Sequence, residues 1–260
     1  MDYTKCDLHV HTKLSLCASK EAEVSEYLKA AAKNGVQTIG FANHYWDETV
    51  KHPNLIGFYV QQYTEHVLQL KKELENIDHC GVKVLFGCET DFAGHTLGIS
   101  EENAKLFDYV LVPHSHTHMY GFVLPENMTA PKDHARYLVE SFLEVANHDL
   151  ATKYIYGIVH PFSPCGKSPE DAVAILSNIS DEDYQLCAKS AKLNNIKIEL
   201  NSSALVNKPI FLLNEYKRFF SACKKEGCEF FAGSDKHNII HDSSSDAFFK
   251  LNDVAEFLLS

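Results

Sequence analysis

The sequence contains no run approaching the roughly 20 continuous apolar residues that cross a bilayer. Its opening, Met1-Asp2-Tyr3-Thr4-Lys5-Cys6-Asp7, also lacks the basic and apolar regions of a signal peptide. The expectation is a cytoplasmic protein without a membrane partner. Nor is there a cysteine framework. Eight cysteines are scattered over 260 residues without regular spacing, which in a reducing compartment reads as free thiols, several of them core residues. Positive charge is in deficit, with a formal net charge of −11. Broad contact with a nucleic-acid backbone needs a basic face that displaces counterions, so the charge argues against such a partner and for a small one. No internal repeat, low-complexity tract or Pro/Gly/Ser-rich linker divides the chain. At 45% hydrophobic it can bury a large core, and a single domain over residues 1–260 is expected.

What is present is an alternation. Seven short runs rich in β-branched and aromatic residues read as strands: Cys6–His9, Thr38–Asn43, Val82–Cys88, Tyr109–Pro113, Tyr154–His160, Ile196–Asn201 and Glu229–Gly233. Val24/Tyr27/Leu28/Ala31 and Val67/Leu70/Leu74/Ile77 are apolar stripes at helical spacing. Further helices are predicted over Lys132–His148, Asp181–Asn194, Lys208–Lys225 and Ser245–Leu258. Strand–helix alternation over the whole length predicts an α/β architecture, with parallel strands and helices outside.

Polar residues decide between an open sheet and a barrel. Almost every strand ends in a candidate ligand: His9 and His11, then His44, Glu89, the His114/His116/His118 cluster, His160, and finally Asp235 and His237. The sixth strand ends in Asn201-Ser202-Ser203. A strand sends alternate side chains to one face, so His9 and His11 can grip one ion together. An open sheet concentrates its site at one crevice, whereas a barrel assembles it from many strand ends. A closed or nearly closed barrel of seven βα units brings all these groups to one mouth.

Asp7-Leu8-His9-Val10-His11-Thr12, Asn43-His44, Gly87-Cys88-Glu89, Pro113–His118, Val159-His160-Pro161 and Gly233-Ser234-Asp235-Lys236-His237 together resemble the PHP superfamily of metal-dependent phosphoesterases, which includes bacterial histidinol phosphatases. The resemblance runs from position 7 to 237 in the family's order. It implies a distorted (β/α)7 barrel with up to three divalent ions at the C-terminal ends of the strands. By that resemblance His9, His11, Glu89 and Asp235 surround one ion, His44 and His237 belong to a second, and Glu89, His116 and His160 hold a third, with Glu89 as the bridge. Imidazole with carboxylate suits zinc, iron or manganese. Such ions polarise phosphoryl oxygens and activate water, so hydrolysis of a small phosphomonoester, such as histidinol phosphate or a nucleotide, is the expected reaction. Glu89, Asp235 and His237 are the residues expected to carry it. A nuclease or phosphodiesterase, and a non-catalytic metal-binding module, are the alternatives.

Three departures from the family pattern bear on ligands and substrate. Cys17 stands where many relatives carry a histidine ligand; a thiolate there favours zinc, while a small buried residue is the other reading. Asn43 replaces a frequent aspartate and is expected to orient His44. Val206 occupies the place of an arginine that follows the Glu199–Leu205 segment in histidinol phosphatases, which leaves Lys13, Lys167 and Lys236 as candidate phosphate ligands. Tyr45, Trp46 and Tyr120 are expected to give the mouth an apolar lip. His95 and His241 lie near mouth segments without an assigned role.

Overall fold

The computed structural model of the chain describes residues 2–240 and 244–260. Seven strands form one sheet in sequence order: β1 (Cys6–Val10), β2 (Thr38–Tyr45), β3 (Lys83–Thr90), β4 (Tyr109–Pro113), β5 (Ile155–Val159), β6 (Lys197–Asn201) and β7 (Phe230–Gly233). Each pairs in parallel with the next. Parallel neighbours require a crossover every time, which places the connecting helices on the outer face. The edge strands meet at a short seam: Asp235 N donates to His9 O at 2.7 Å, His11 N donates to Lys236 O at 2.9 Å, and Val10 bridges Lys236. The sheet is thus a nearly closed (β/α)7 barrel.

Its bore is plugged at one end. Leu8, Ala42, Tyr109, Leu111, Val159 and Phe231 form an interior apolar cluster. The Tyr109 ring fits because two facing strands carry glycine: a Cβ on Gly87 would lie 2.3 Å from the ring, and one on Gly40 2.2 Å from its hydroxyl. That hydroxyl donates to Leu8 O at 2.8 Å. With the bore filled, polar groups collect at the other end.

Outside, helices Val24–Lys33, Thr64–Asn76, Pro131–Ala146, Asp181–Leu193, Ile210–Glu226 and Leu251–Leu258 bury their apolar stripes on the sheet. Ser180 and Asp183 close a reciprocal capping box at the start of the fourth of these, and Gly227 ends the fifth with φ 74°. The third crossover departs from the expected alternation. Between Thr90 and Tyr109 the chain spends its length on a ribbon, Phe92–Ala93 with Thr96–Leu97, and on the one-turn helix Glu101–Ala104. The tight turn at Gly94 and His95, both at positive φ, sets that ribbon. An extra helix, Pro169–Leu176, starts at the Ser168 cap with proline in its first turn. The predicted Ser245–Leu258 helix is split into a 3-10 turn, Ala247–Lys250, and Leu251–Leu258. All eight cysteines are free. Among the described residues no helix is long and apolar enough to cross a membrane.

Candidate metal centre

The register of β1 against β2 shifts between Asp7 and Val10. The irregularity re-aims the strand, as β-bulges do near functional sites: Leu8 belongs to the interior plug and Val10 to the outer core, while the Nε2 atoms of His9 and His11 come within 3.1 Å of each other. β2 and β3 run further than their apolar stretches predict, so His44 and Glu89 lie inside the strands and directly opposite each other in register. β4 stops at Pro113, and His116 comes from the loop beyond it. His160 and Asp235 follow β5 and β7 in left-handed backbone, φ 31° and 55°, conformations that cost a non-glycine residue about 1–3 kcal/mol. These turns aim both side chains into the mouth.

Glu89 is the hub. Its Oε2 lies 3.0 Å from His44 Nδ1 and 3.4 Å from Nε2 of both His9 and His11. Its Oε1 lies 3.1 Å from His160 Nε2 and 3.8 Å from His116 Nε2. Asp235 Oδ1 is 3.2 Å from His11 Nε2, 3.6 Å from His237 Nδ1 and 3.7 Å from His9 Nε2. The His237 ring stacks on His11 with centroids 4.3 Å apart.

The imidazoles of the site have partners at Nδ1, among them His11, with Ser15 Oγ at 3.3 Å, and His237, with Asp235 O at 3.0 Å. His9 Nδ1 pairs with Glu199 Oε1 at 2.7 Å, His116 Nδ1 with Asp91 Oδ1 at 3.0 Å, and His160 Nδ1 with Ser115 Oγ at 2.8 Å. Anchoring Nδ1 outward leaves the Nε2 lone pair facing inward, the arrangement that fixes the tautomer of metal-binding histidines. Glu199 also accepts from His160 N at 2.6 Å and Asn201 Nδ2 at 3.0 Å. Asp91 in turn holds the Tyr59 hydroxyl. None of Glu199, Asp91 and Ser115 is assigned this role by sequence reasoning, because a supporting carboxylate or hydroxyl carries no spacing signature.

The electrostatics reflect carboxylates and imidazoles packed out of water. Burial opposes the charged form of His9, yet the Glu199, Glu89 and Asp235 charges raise its pKa well above the ordinary value. His116 is likewise raised, to about 9, against burial, by Asp91 and Glu89. Burial wins at His11, pushed down to about 4, and at His44, pushed well down. Burial disfavours ionised Glu89 as well, but His44 and His9 hold it well below the usual carboxylate range. Asp235 is lowered against burial by His9 and His11.

Among the described residues three groups bring ligand atoms within 4.8 Å of one another: His9, His11 and Asp235; His11, Cys17, His44 and His237; and His116, His160 and Cys165. The donor set fits divalent ions. Glu89 Oε2 is buried without a hydrogen-bond partner while three imidazole nitrogens converge on it, and a buried orphan carboxylate oxygen in such company suits a cation. Cys17 is exposed at the mouth, its thiol pushed up to about 12 by burial of the sulfur and by the Glu89 charge. Cys165 is an addition from the structure. Burial would raise its thiol, but the His160 charge and hydrogen bonds from His118 and His160 lower it to about 6.

Other sequence expectations are redirected. His114 turns away into the core: its Nδ1 donates to Leu138 O at 3.0 Å and its Nε2 accepts from Phe162 N at 2.9 Å, so neither nitrogen is free, and burial pushes it down to about 3. His118 stays exposed beside His116. Asn43 does not reach His44; its amide pins Thr12 and Ser15 instead. Tyr45 and Trp46 are fully buried, bonded to Thr64 Oγ1 and Val50 O, and form no lip. Ile56, Phe58, Tyr59 and Met119 line the 400 Å³ cavity over the centre. Tyr120 stands on a neighbouring cleft with His95, which pairs with Glu144 at 2.7 Å. His241 lies outside the described residues. Val206 is buried in the core. Lys13 is paired with Glu23 at 2.6 Å and Lys236 with Asp246 at 2.6 Å. Lys167 lines a second cavity, of 270 Å³, that shares Asp235 with the first.

The family model of the PHP domain matches residues 7–252. A protein of Acetivibrio thermocellus named "Probable phosphatase" is 26% identical over 247 residues, covering 94% of this chain and 84% of its own. The crystal structure of a histidinol phosphate phosphatase from Lactococcus lactis, complexed with zinc, L-histidinol and phosphate, aligns with TM-score 0.62 at 15% identity, over 98% of this chain and 94% of that one. A Listeria monocytogenes structure assigned to the histidinol phosphatases aligns with TM-score 0.59 at 12% identity, over 93% and 98%.

Proposed function

The chain belongs to the PHP domain family, and from that premise we propose that it is a metal-dependent phosphatase that hydrolyses a phosphomonoester of a small metabolite at a multinuclear centre. The observation that carries the reading is Glu89, buried and ringed by His9, His11, His44, His116 and His160 within 3.8 Å. His9, His11 and Asp235 would hold one ion, Cys17, His44 and His237 with shared His11 a second, and His116, His160 and Cys165 a third, with Glu89 between them. Two or three bound divalent ions, zinc, iron or manganese, would supply Lewis-acid polarisation of the phosphoryl oxygens and a water acidified enough to attack near neutral pH.

The protein's own groups then position and move protons. Glu199, Asp91 and Ser115 lock three imidazoles so that no rotation is needed at the moment of reaction. Ile56, Phe58, Tyr59 and Met119 give the leaving group an apolar wall that excludes water. His118, exposed on the rim of that cavity, is placed to give a proton to the departing oxygen. Histidinol phosphate is the first substrate to try, because the L. lactis structure holds histidinol and phosphate; nucleoside monophosphates follow. The test pairs metal analysis with phosphate release from a panel of monoesters, using Glu89→Gln as the control. Two or three ions per chain, with turnover lost in the variant, is the expected result. Full metal occupancy with no monoester hydrolysed would overturn the reading.

A further inference from the structure

The chain carries 35 acidic residues against 24 lysines and arginines, and its cations near the mouth are mostly neutralised: Lys13 by Glu23, and Lys236 by Asp246 with Asp7 behind it. Two lysines are not. Lys208 is half-buried and has no hydrogen-bond or carboxylate partner among the described residues. Lys167, also half-buried, meets only a phenol, donating to Tyr120 Oη at 2.7 Å and lying 5.4 Å from that ring's centroid. Both line the 270 Å³ cavity whose other wall is formed by His160, Cys165 and Asp235, and among the described residues Asp235 is the only acid on it.

Two lysines without a carboxylate partner on the wall of one small cavity give it a local excess of positive charge, which defines a place for an anion. At 270 Å³ the cavity lies just below the roughly 300–1,000 Å³ typical of drug-sized ligands and has room for a phosphoryl group. Asp235 also lines the apolar cavity, so the two cavities share a wall. We propose that Lys208 and Lys167 clamp the phosphoryl group of the substrate against His160 and Asp235, while the leaving group occupies the apolar cavity. This deepens the phosphatase reading and rests on it. It also names the substrate class: a monoester dianion on a small alcohol with a flat or apolar body. Two ammonium groups favour the dianion of a monoester over the single charge of a diester.

Inorganic phosphate is the probe. Titrating it calorimetrically into the metal-loaded full chain, with kcat/KM on the best monoester measured alongside, compares Lys208→Ala, Lys167→Ala, the double variant, Lys208→Arg and the control Lys13→Ala. Unaltered metal content shows that each variant is folded. Loss of a charge-assisted contact is expected to weaken phosphate binding about ten- to hundredfold in Lys208→Ala, with recovery in Lys208→Arg and no change in Lys13→Ala. Wild-type phosphate affinity in the double variant, or an equal loss in Lys13→Ala, overturns the clamp. Turnover that persists with phosphate binding indifferent to both lysines rejects the clamp and keeps the phosphatase. Lysine-dependent phosphate binding in a wild-type protein that hydrolyses no monoester does the reverse.

Discussion

At the scale of single residues, the centre depends on groups that never face it. Glu199 fixes His9 through Nδ1 and, through its other oxygen, the backbone N–H of His160. Glu199→Gln keeps the shape but lets the amide present N–H where His9 needs an acceptor, so zinc affinity should fall about 10–100-fold, as measured by competition with a chelator. Unchanged affinity would show that His9 needs no such partner. Metal affinity should also rise with pH. His116, raised to about 9, and His9, raised well above the ordinary value, carry protons at neutral pH when no ion is bound, and an ion must displace them. Each displaced proton gives roughly a tenfold gain in affinity per pH unit up to the raised pKa; a flat profile between pH 6 and about 9 would contradict it. His118→Asn should lower kcat about 10²-fold on alkyl phosphates, and much less on esters whose leaving group departs without a proton. Legibility at this scale followed geometry. His9 and His11 are visible in sequence because a strand alternates, whereas Glu199, Asp91 and Cys165 join the site through tertiary packing. His114 shows the opposite failure: it shares a His-x-His-x-His run with His116, but the strand ends at Pro113 and the loop turns it into the core.

At the scale of elements, all seven strands were legible because strands buried on both faces read as continuous β-branched and aromatic runs. The C-terminal ends of β2 and β3 were not, since His44, Glu89 and Thr90 are polar residues that extend a ladder held by its neighbours, whereas the ends at Pro113, Asn201 and Gly233 fall where expected. The ribbon after β3 was missed for a related reason: two-residue strands are set by the turn at Gly94 and His95 and not by periodicity. The end of β7 gives the sharpest prediction here. A Cβ on Gly233 would stand 1.9 Å from Glu199 Oε1 and 2.7 Å from His9 Cβ, so the strand can pass the buried carboxylate only as glycine. Gly233→Ala should cost about 1–3 kcal/mol of stability through overpacking and should reduce metal content by displacing the Glu199–His9 pair. Gly57→Ala, where a Cβ meets nothing within 4 Å, is the matched control. Equal denaturation midpoints and equal metal content for the two variants would refute the packing argument.

At the scale of the whole molecule, the barrel is closed by its weakest join and the proposed ions straddle it. Six strand pairs form parallel ladders, two of them with a register shift, but β1 and β7 meet through two backbone hydrogen bonds, of 2.7 Å and 2.9 Å, and one bridge beyond the end of β7. His9 and His11 lie on one side of that seam, and Asp235 and His237 on the other. An ion gripping both sides adds bonds where the fold has fewest, and anything that binds only the folded state stabilises it by mass action, about 4 kcal/mol at a thousand times Kd. Zinc should therefore raise Tm and chelation lower it. The more discriminating readout is where protection changes. On chelation, amide exchange should accelerate first in residues 6–11 and 230–237, while the β3–β4 ladder at Gly87 and Tyr109 keeps its protection, because local opening draws on the least stable unit before the global transition. Uniform acceleration across all seven strands would instead mean that the ions stabilise the fold as a whole and that the seam is held by its own packing.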